Sequence, residues 1–209
     1  MNGDRGLLGA GSQANETAEF DSTHRFVFRA VDLGGDNGAR DPQLIDISNP
    51  TAVQRDTPVT AAVGAPGLRR ALVDRWPGES YHSVIADSAW ISPSAVVGAG
   101  STVAPGAVIT ARASVGEHVI INVGATVSHN CEIGDFATVS PGAHIAGDCI
   151  IGAGVFIGIG AIVTHGVRIA AGAVIGAGAV VLGDIESAGV WVGVPARHVR
   201  ELDSWIMRL

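Results

Sequence analysis

Ile145-Ala146-Gly147-Asp148-Cys149-Ile150-Ile151-Gly152-Ala153-Gly154-Val155-Phe156-Ile157-Gly158-Ile159-Gly160-Ala161-Ile162-Val163 opens every group of six with Ile or Val and places a small or branched residue four positions later. The register runs unbroken in both directions, from Ile85 through Val103, Ile121 and Val139 to Val181. Ala89, Ala107, Cys131, Val155 and Ala173 hold the fifth place, and Gly98, Gly116, Gly134, Gly152, Gly158 and Gly176 recur in the second. A fixed period over such a length marks a solenoid rather than a two-layer core. The β-branched residue suits a pleated strand and points inward. The small residue faces the same narrow interior, and Gly, Asn, Asp or Pro supplies the turn between. Three flat sides of six close one triangular coil, stacked on the next by parallel pairing at about 4.8 Å. The expectation is a parallel β-helix, and the period leaves its hand open because parallel crossovers are normally right-handed.

Outside this stretch the grammar changes. Residues 1–84 read as a small α/β domain, 85–188 as the β-helix, and 189–209 as a C-terminal cap. Gly6-Leu7-Leu8 is a short strand, with a helix expected from Asn15 to Phe20 and a strand over Phe26–Val31. The Gly-, Asp- and Pro-rich run from Gly34 to Asp56 reads as a loop with at most a short helix around Leu44. Val59 to Val63 is a buried strand, Pro66 opens a helix that Pro77-Gly78 stops, and Tyr81 to Ile85 leads into the repeat. Val199, Leu202, Trp205, Ile206 and Leu209 have helical spacing and would cap the open end.

Gly9-x-Gly11-x-x-Ala14 followed by Asp32 fits a dinucleotide fingerprint, but about 84 residues hold only one of the two halves such a domain needs. The segment is better matched to the phosphates or ribose of one nucleotide at a helix N-terminus. A glycine turn that only packs strand on helix stays open as the alternative.

A formal charge of −7 without a basic cluster argues against a nucleic-acid partner. No apolar run reaches the ~20 residues of a membrane span, and the N-terminus shows no signal-peptide core, so the expected compartment is the cytoplasm. Cys131 and Cys149 stand eighteen apart in one inward column; small core residues in a reducing compartment are the expected reading.

Histidines are the candidates for chemistry. His129 holds the outward third place of Val127-Ser128-His129-Asn130-Cys131-Glu132, and His165 lies in the same column two coils on. His118 and His144 fall in other columns. An outward histidine on a solenoid is by default a solvated turn residue, so its context must decide.

That context, Asn122 to Phe136 with Val139-Ser140-Pro141-Gly142-Ala143 and Ala146-Gly147, resembles one branch of the hexapeptide-repeat sugar acyltransferases. The branch comprises the sialic-acid O-acetyltransferases and the UDP-4-amino-sugar N-acetyltransferases. The likeness spans nearly the whole chain, including Gly9-Ala10-Gly11, Gly64 to Arg69, Ile91-Ser92-Pro93-Ser94-Ala95 and Gly193-Val194-Pro195-Ala196. It implies a left-handed β-helix, acetyl-CoA as co-substrate, no metal, and a homotrimer with sites between neighbouring prisms. It makes His129 the general base, with Asn130 beside it and the Gly147 amide as oxyanion donor. Thr138, Gly147, Ile159 and Ala177 fall at coenzyme A positions, and Gly11, Ser12, Gln13, Asp32, Gly64, Arg69 and Asn122 at sugar-nucleotide positions.

Three departures stand out. Asn130 replaces an Asp or Glu that orients the imidazole; an amide can orient a ring but brings no charge. Thr138 replaces a frequent second histidine, and Gln13 replaces a histidine of the glycine-rich turn. The acceptor is expected to be a nucleotide-linked amino sugar, with O-acetylation of sialic acid or another sugar, or a non-catalytic binding scaffold, as alternatives. A zinc carbonic anhydrase on the same fold needs three converging histidines, and no suitable close pair exists here. A serine acetyltransferase would carry a helical N-terminal domain instead.

Overall fold

The computed structural model describes residues 3–32 and 43–208. The N-terminal region is a parallel sheet of β1 (Asp4–Leu8), β2 (Arg25–Val31), β3 (Leu44–Asp46) and β4 (Val59–Ala61), in the order β3-β2-β1-β4. Three helices, α1 (Ser12–Phe20), α2 (Ala52–Asp56) and α3 (Pro66–Arg75), connect and cover it. Leu8, Phe28, Val59, Leu72 and Trp76 form its core. Gly6 is required on β1 because a side chain there would overlap the Phe28 ring.

Two local expectations are corrected. Leu44 lies in a strand rather than a helix: it pairs with Arg29 at the sheet edge, and tertiary pairing outweighs propensity in a three-residue element. The run read as a loop also contains α2, whose start is a capping box in which Thr51 Oγ1 accepts from Gln54 N–H and Gln54 Oε1 from Thr51 N–H. Residues 34–42 of that run lie outside the described residues.

From Val84–Ile85 to Val180–Val181 the chain makes two-residue strands, each paired in parallel with the strand eighteen residues away, as Ile120 with Thr138. Three sheets result, forming a left-handed parallel β-helix. Side I presents Ile120 and Thr138 outward, side II presents Thr126 and His144, and side III presents Glu132 and Ile150. The repeating Ile, Val and Ala residues form one continuous inward core, with free Cys131 and Cys149 among them.

The edge between sides III and I carries the N-terminal region. Arg69, fully buried on α3, donates through Nε to His118 O, through Nη1 to Val63 O and Gly64 O, and through Nη2 to Phe136 O, Ala137 O and Thr138 Oγ1. Burial lowers its pKa to about 9, which leaves it charged at neutral pH. Five carbonyl dipoles and a hydroxyl therefore hold a cation that has no carboxylate partner among the described residues. Thr102, Ile120 and Thr138 point out of side I yet are buried beneath this region.

The expected C-terminal helix is absent among the described residues. Arg197–Arg200 instead pairs antiparallel with Val190–Val192, extending side I, and Trp191 and Ala196 pack on the end of the prism core. The chain then returns along the III–I edge, where Trp205 lies over the turns at Gly154 and Gly172 and Ile206 O accepts from Gly67 N–H on α3. Trp205 and Ile206 are half-buried on this edge without forming a helix, whereas Val199 stays exposed and Leu209 lies outside the described residues.

Candidate active site

His129 and the residues that answer it stand on the edge between sides II and III. On this edge the fourth residue of three successive coils is in the left-handed region, at φ 57° for Arg112, 58° for Asn130 and 59° for Asp148. Asn and Asp tolerate that conformation better than most side chains. Stacking at eighteen-residue intervals aligns these three into a ladder. Arg112 Nε donates to Asn130 Oδ1 at 2.8 Å, and Asn130 Nδ2 donates to Asp148 Oδ1 at 2.8 Å.

The His129 ring is half exposed and lies over Gly147, one coil on. A Cβ at Gly147 would come under 3.0 Å from three ring atoms, so only glycine lets the imidazole rest there. Gly147 N–H donates to no protein group among the described residues. Asn130 Nδ2 is 3.2 Å from His129 Nδ1, and Asp148 Oδ2 is 3.7 Å from the same atom. His165 Nε2 approaches that carboxylate oxygen from the other side at 3.6 Å, with the two rings 6.4 Å apart. The edge thus gathers an imidazole, a free amide donor and a carboxylate, groups able to serve proton transfer and oxyanion stabilisation. Asp148 is a member of this cluster that sequence reading passed over, although its position eighteen after Asn130 placed it in the column.

Ile159 and Ala177 stand on a different edge, between sides I and II, and both are exposed. Asn122 begins a turn of that edge, its Oδ1 accepting from Val123 N–H at 2.7 Å. Thr138 belongs to neither: it is buried on side I, donating to Gly64 O at 2.8 Å and accepting from Arg69. Arg69 and the Gly64 carbonyl are likewise occupied in holding the N-terminal region to the prism.

At the carboxyl edge of the N-terminal sheet, β1 ends at Gly9-Ala10-Gly11, β2 at Asp32, and β4 at the segment leading to Gly64. Strand order reverses beside β1, between β2 and β4, so the first and third of these loops flank the crevice where open α/β sheets bind ligands. Gly9, at φ 114°, packs against Ala62 and Val63, whereas the space beside Gly11 is open. Gln13 Nε2 is buried without a protein partner. Asp32 pairs with Arg75 at 2.7 Å.

Asp21, His24 and His82 form another compact cluster, with ligand-type atoms within 4.8 Å of one another. Asp21 Oδ2 lies 2.9 Å from His24 Nδ1 and 2.8 Å from His82 Nε2. Two donors on one tetrahedral zinc sit about 3.3 Å apart, so this is a hydrogen-bonded clasp. Burial alone would raise the Asp21 pKa, but bonds from His82, Thr23 and His24 hold it well below the usual carboxylate range. Ser22 adds a bond to Asp87, tying the end of α1 to the first coil.

Residues 148–183 match the bacterial transferase hexapeptide (six repeats) family. No curated protein matches the chain. Among solved structures it is similar to the acetyltransferase domain of PglB from Neisseria gonorrhoeae FA1090, at 30% identity over 95% of this chain and 100% of that one, with a TM-score of 0.82. That domain is also solved in complex with acetyl coenzyme A. PerB from Caulobacter crescentus, in complex with CoA and GDP-perosamine, is 30% identical over 94% and 97% of the two chains, with a TM-score of 0.84. WeeI from Acinetobacter baumannii AYE is 26% identical over 93% and 99%, with a TM-score of 0.79. No helix among the described residues is long and apolar enough to cross a membrane.

Proposed function

The chain belongs to the hexapeptide-repeat sugar acetyltransferases, and from that premise we propose that it moves the acetyl group of acetyl-CoA to the amine of a nucleotide-linked amino sugar. His129 is the general base. The observation that carries this reading is the exposed imidazole seated over a glycine whose amide is free, on a prism edge open to a second chain. The likeness to PerB, solved with CoA and GDP-perosamine, favours an amine acceptor over a hydroxyl.

In the step, the amine lone pair attacks the thioester carbonyl while His129 Nε2 takes the amine proton. A C–N bond forms, and the Gly147 N–H stabilises the oxyanion of the tetrahedral intermediate. The C–S bond then breaks, and the proton passes from His129 to the departing coenzyme A sulfur. The nucleotide lies in the crevice at the carboxyl edge of the N-terminal sheet, its phosphates against the N-terminus of α1 at Gly11 and Ser12. Gln13 Nε2, a buried donor without a partner, is available to it.

The pantetheine arm runs along Ile159 and Ala177. Those residues stand one prism side away from His129 around the coil, roughly 20 Å for six residues at ~3.3 Å each, and one to three coils further along the stack. A trimer, in which the histidine edge of one prism meets the coenzyme edge of the next, joins the two halves. Exposed Val123 (44%) and Ile159 (62%) on the coenzyme edge, with Trp90 (53%) and Ile162 (43%) on side II, are apolar surface for such contact.

The test is thiol release from acetyl-CoA with GDP-, UDP- and dTDP-linked amino sugars and with free sialic acid, alongside His129→Ala. Turnover with one amino sugar that falls at least ~100-fold in the variant supports the reading. Turnover confined to sialic acid would replace it with O-acetylation, and activity equal in the two proteins would remove His129 from the mechanism.

A further inference from the structure

The residue after His129 is an amide, and the ladder fixes which way it faces. A guanidinium offers only donors and a carboxylate only acceptors. Arg112 therefore holds Asn130 Oδ1, and Asp148 holds Asn130 Nδ2. The atom of Asn130 that faces the imidazole, 3.2 Å from Nδ1, is accordingly the amide nitrogen. A histidine that serves as base through Nε2 must carry its neutral-state proton on Nδ1, where it needs an acceptor. Asn130 is not that acceptor, because its oxygen is turned to Arg112 and its nitrogen to the ring. Left alone with His129, the amide would favour the opposite tautomer, donating to Nδ1 and leaving the proton on Nε2.

We infer that Asp148, contributed by the next coil, is the positioning residue that holds the proton on His129 Nδ1 and balances the charge the imidazole gains during transfer. This rests on the reading of His129 as base. Asp148 Oδ1 is occupied by Asn130, and Oδ2 is the oxygen that faces His129 Nδ1 at 3.7 Å. That separation is ion-pair range, and a small rotation of the half-exposed ring brings it to hydrogen-bond range. The same oxygen faces His165 Nε2 at 3.6 Å, so one carboxylate serves two imidazoles from adjacent coils. The carboxylate missing after His129 is thus restored from eighteen residues away, and Asn130 becomes the strut that aims it. Asp148 also occupies a left-handed turn position at φ 59° and its N–H donates to His129 O at 2.9 Å. Asparagine suits that conformation equally, so Asp148→Asn keeps the turn while replacing the charged acceptor that faces His129 with an uncharged amide donor.

Two measurements decide the matter. Long-range proton–nitrogen correlation spectra of the labelled full chain report the His129 tautomer without any substrate. The expected result is Nδ1–H in the wild type and a shift toward Nε2–H in Asp148→Asn. A wild-type ring that carries its proton on Nε2 overturns the inference. In turnover, Asp148→Asn is expected to lower kcat on the order of 10- to 100-fold with KM for both substrates and the melting temperature unchanged. Adding Asn130→Asp to that variant relocates the carboxylate beside His129 and is expected to recover most of the loss, which a purely structural role would not do. A kcat of Asp148→Asn equal to wild type overturns the inference while leaving His129 as base. Turnover that survives His129→Ala strikes the base itself, and the tautomer spectrum still answers for Asp148.

Discussion

At the scale of single residues, the proposed mechanism makes Gly147 a backbone position that matters to catalysis and not to stability. Its φ is ordinary, and what a side chain there would meet is the movable His129 ring rather than backbone. Gly147→Ala is expected to leave the unfolding free energy within about 0.5 kcal/mol of wild type, because the exposed ring can swing away. Turnover is expected to fall on the order of 100-fold or more as the base leaves its seat; parallel melting and thiol-release curves check both halves. His118 is the opposite case. Burial, and then the Arg69 charge, push its pKa down to about 4, so the folded protein refuses a proton that the unfolded chain accepts near pH 6.5. Stability is therefore lost as pH falls from about 6.5 to about 4, by roughly 3 kcal/mol, and is unaffected by this group at higher pH. Urea unfolding across that range checks the slope, which His118→Asn should flatten; Asp21 acts in a separate, more acidic window. His129 and Gly147 were singled out only through resemblance to a family, but the hexads were legible in the sequence because they depend on a fixed interval. Arg69 and Thr138 were not, because the partners that bury them lie across the domain junction, at sequence separations of 49 to 74 residues.

Among the elements, the prism was readable from its period and the C-terminal segment was not. The spacing of Val199, Leu202, Trp205 and Ile206 fits a helix, but what selects the conformation is a bed of glycines on the III–I edge. Trp205 covers the turns at Gly154 and Gly172 and continues a file of rings in which Tyr81 meets His118 at 4.5 Å, His118 meets Phe136 at 5.0 Å, and Phe136 meets Trp205 at 6.2 Å. Arg70 of α3 lies 5.0 Å above the same indole. The tail also supplies Ile206 O to the otherwise unpaired N–H of Gly67 in the first turn of α3. Trp205→Ala is expected to cost about 2–3 kcal/mol, lowering the melting temperature by roughly 4–12 °C for a chain of this size. Amide exchange should rise in α3 and stay slow in the middle coils, since the prism pairs without the tail. Exchange that quickens equally throughout would mean that the tail stabilises the whole chain rather than one docking surface. Short β3 eluded sequence reading for a related reason, since its three residues hold their shape through the neighbouring β2 alone.

At the scale of the whole molecule, one chain carries the two halves of the proposed site on edges that do not meet. His129, Gly147 and Asp148 lie on the II–III edge, Ile159 and Ala177 on the I–II edge, and the solid core of the prism between them leaves no path through. In the proposed trimer each interface is head-to-tail, so the base of one prism works with the coenzyme edge of its neighbour around a closed ring. That arrangement makes an arithmetic prediction. His129→Ala and Ala177→Trp should each be inactive alone, the first lacking its base and the second its coenzyme groove. When the two are unfolded together and refolded as a 1:1 mixture, about one interface in four pairs an intact histidine edge with an intact coenzyme edge. About a quarter of the wild-type rate should therefore return, at a mass corresponding to three chains by light scattering. If each chain instead served itself, every site in the mixture would carry one lesion and no activity would return whatever the assembly. Recovery without a three-chain mass would keep the shared site and change the ring, because the composition of the interface, rather than the number of prisms, is what the rate reads.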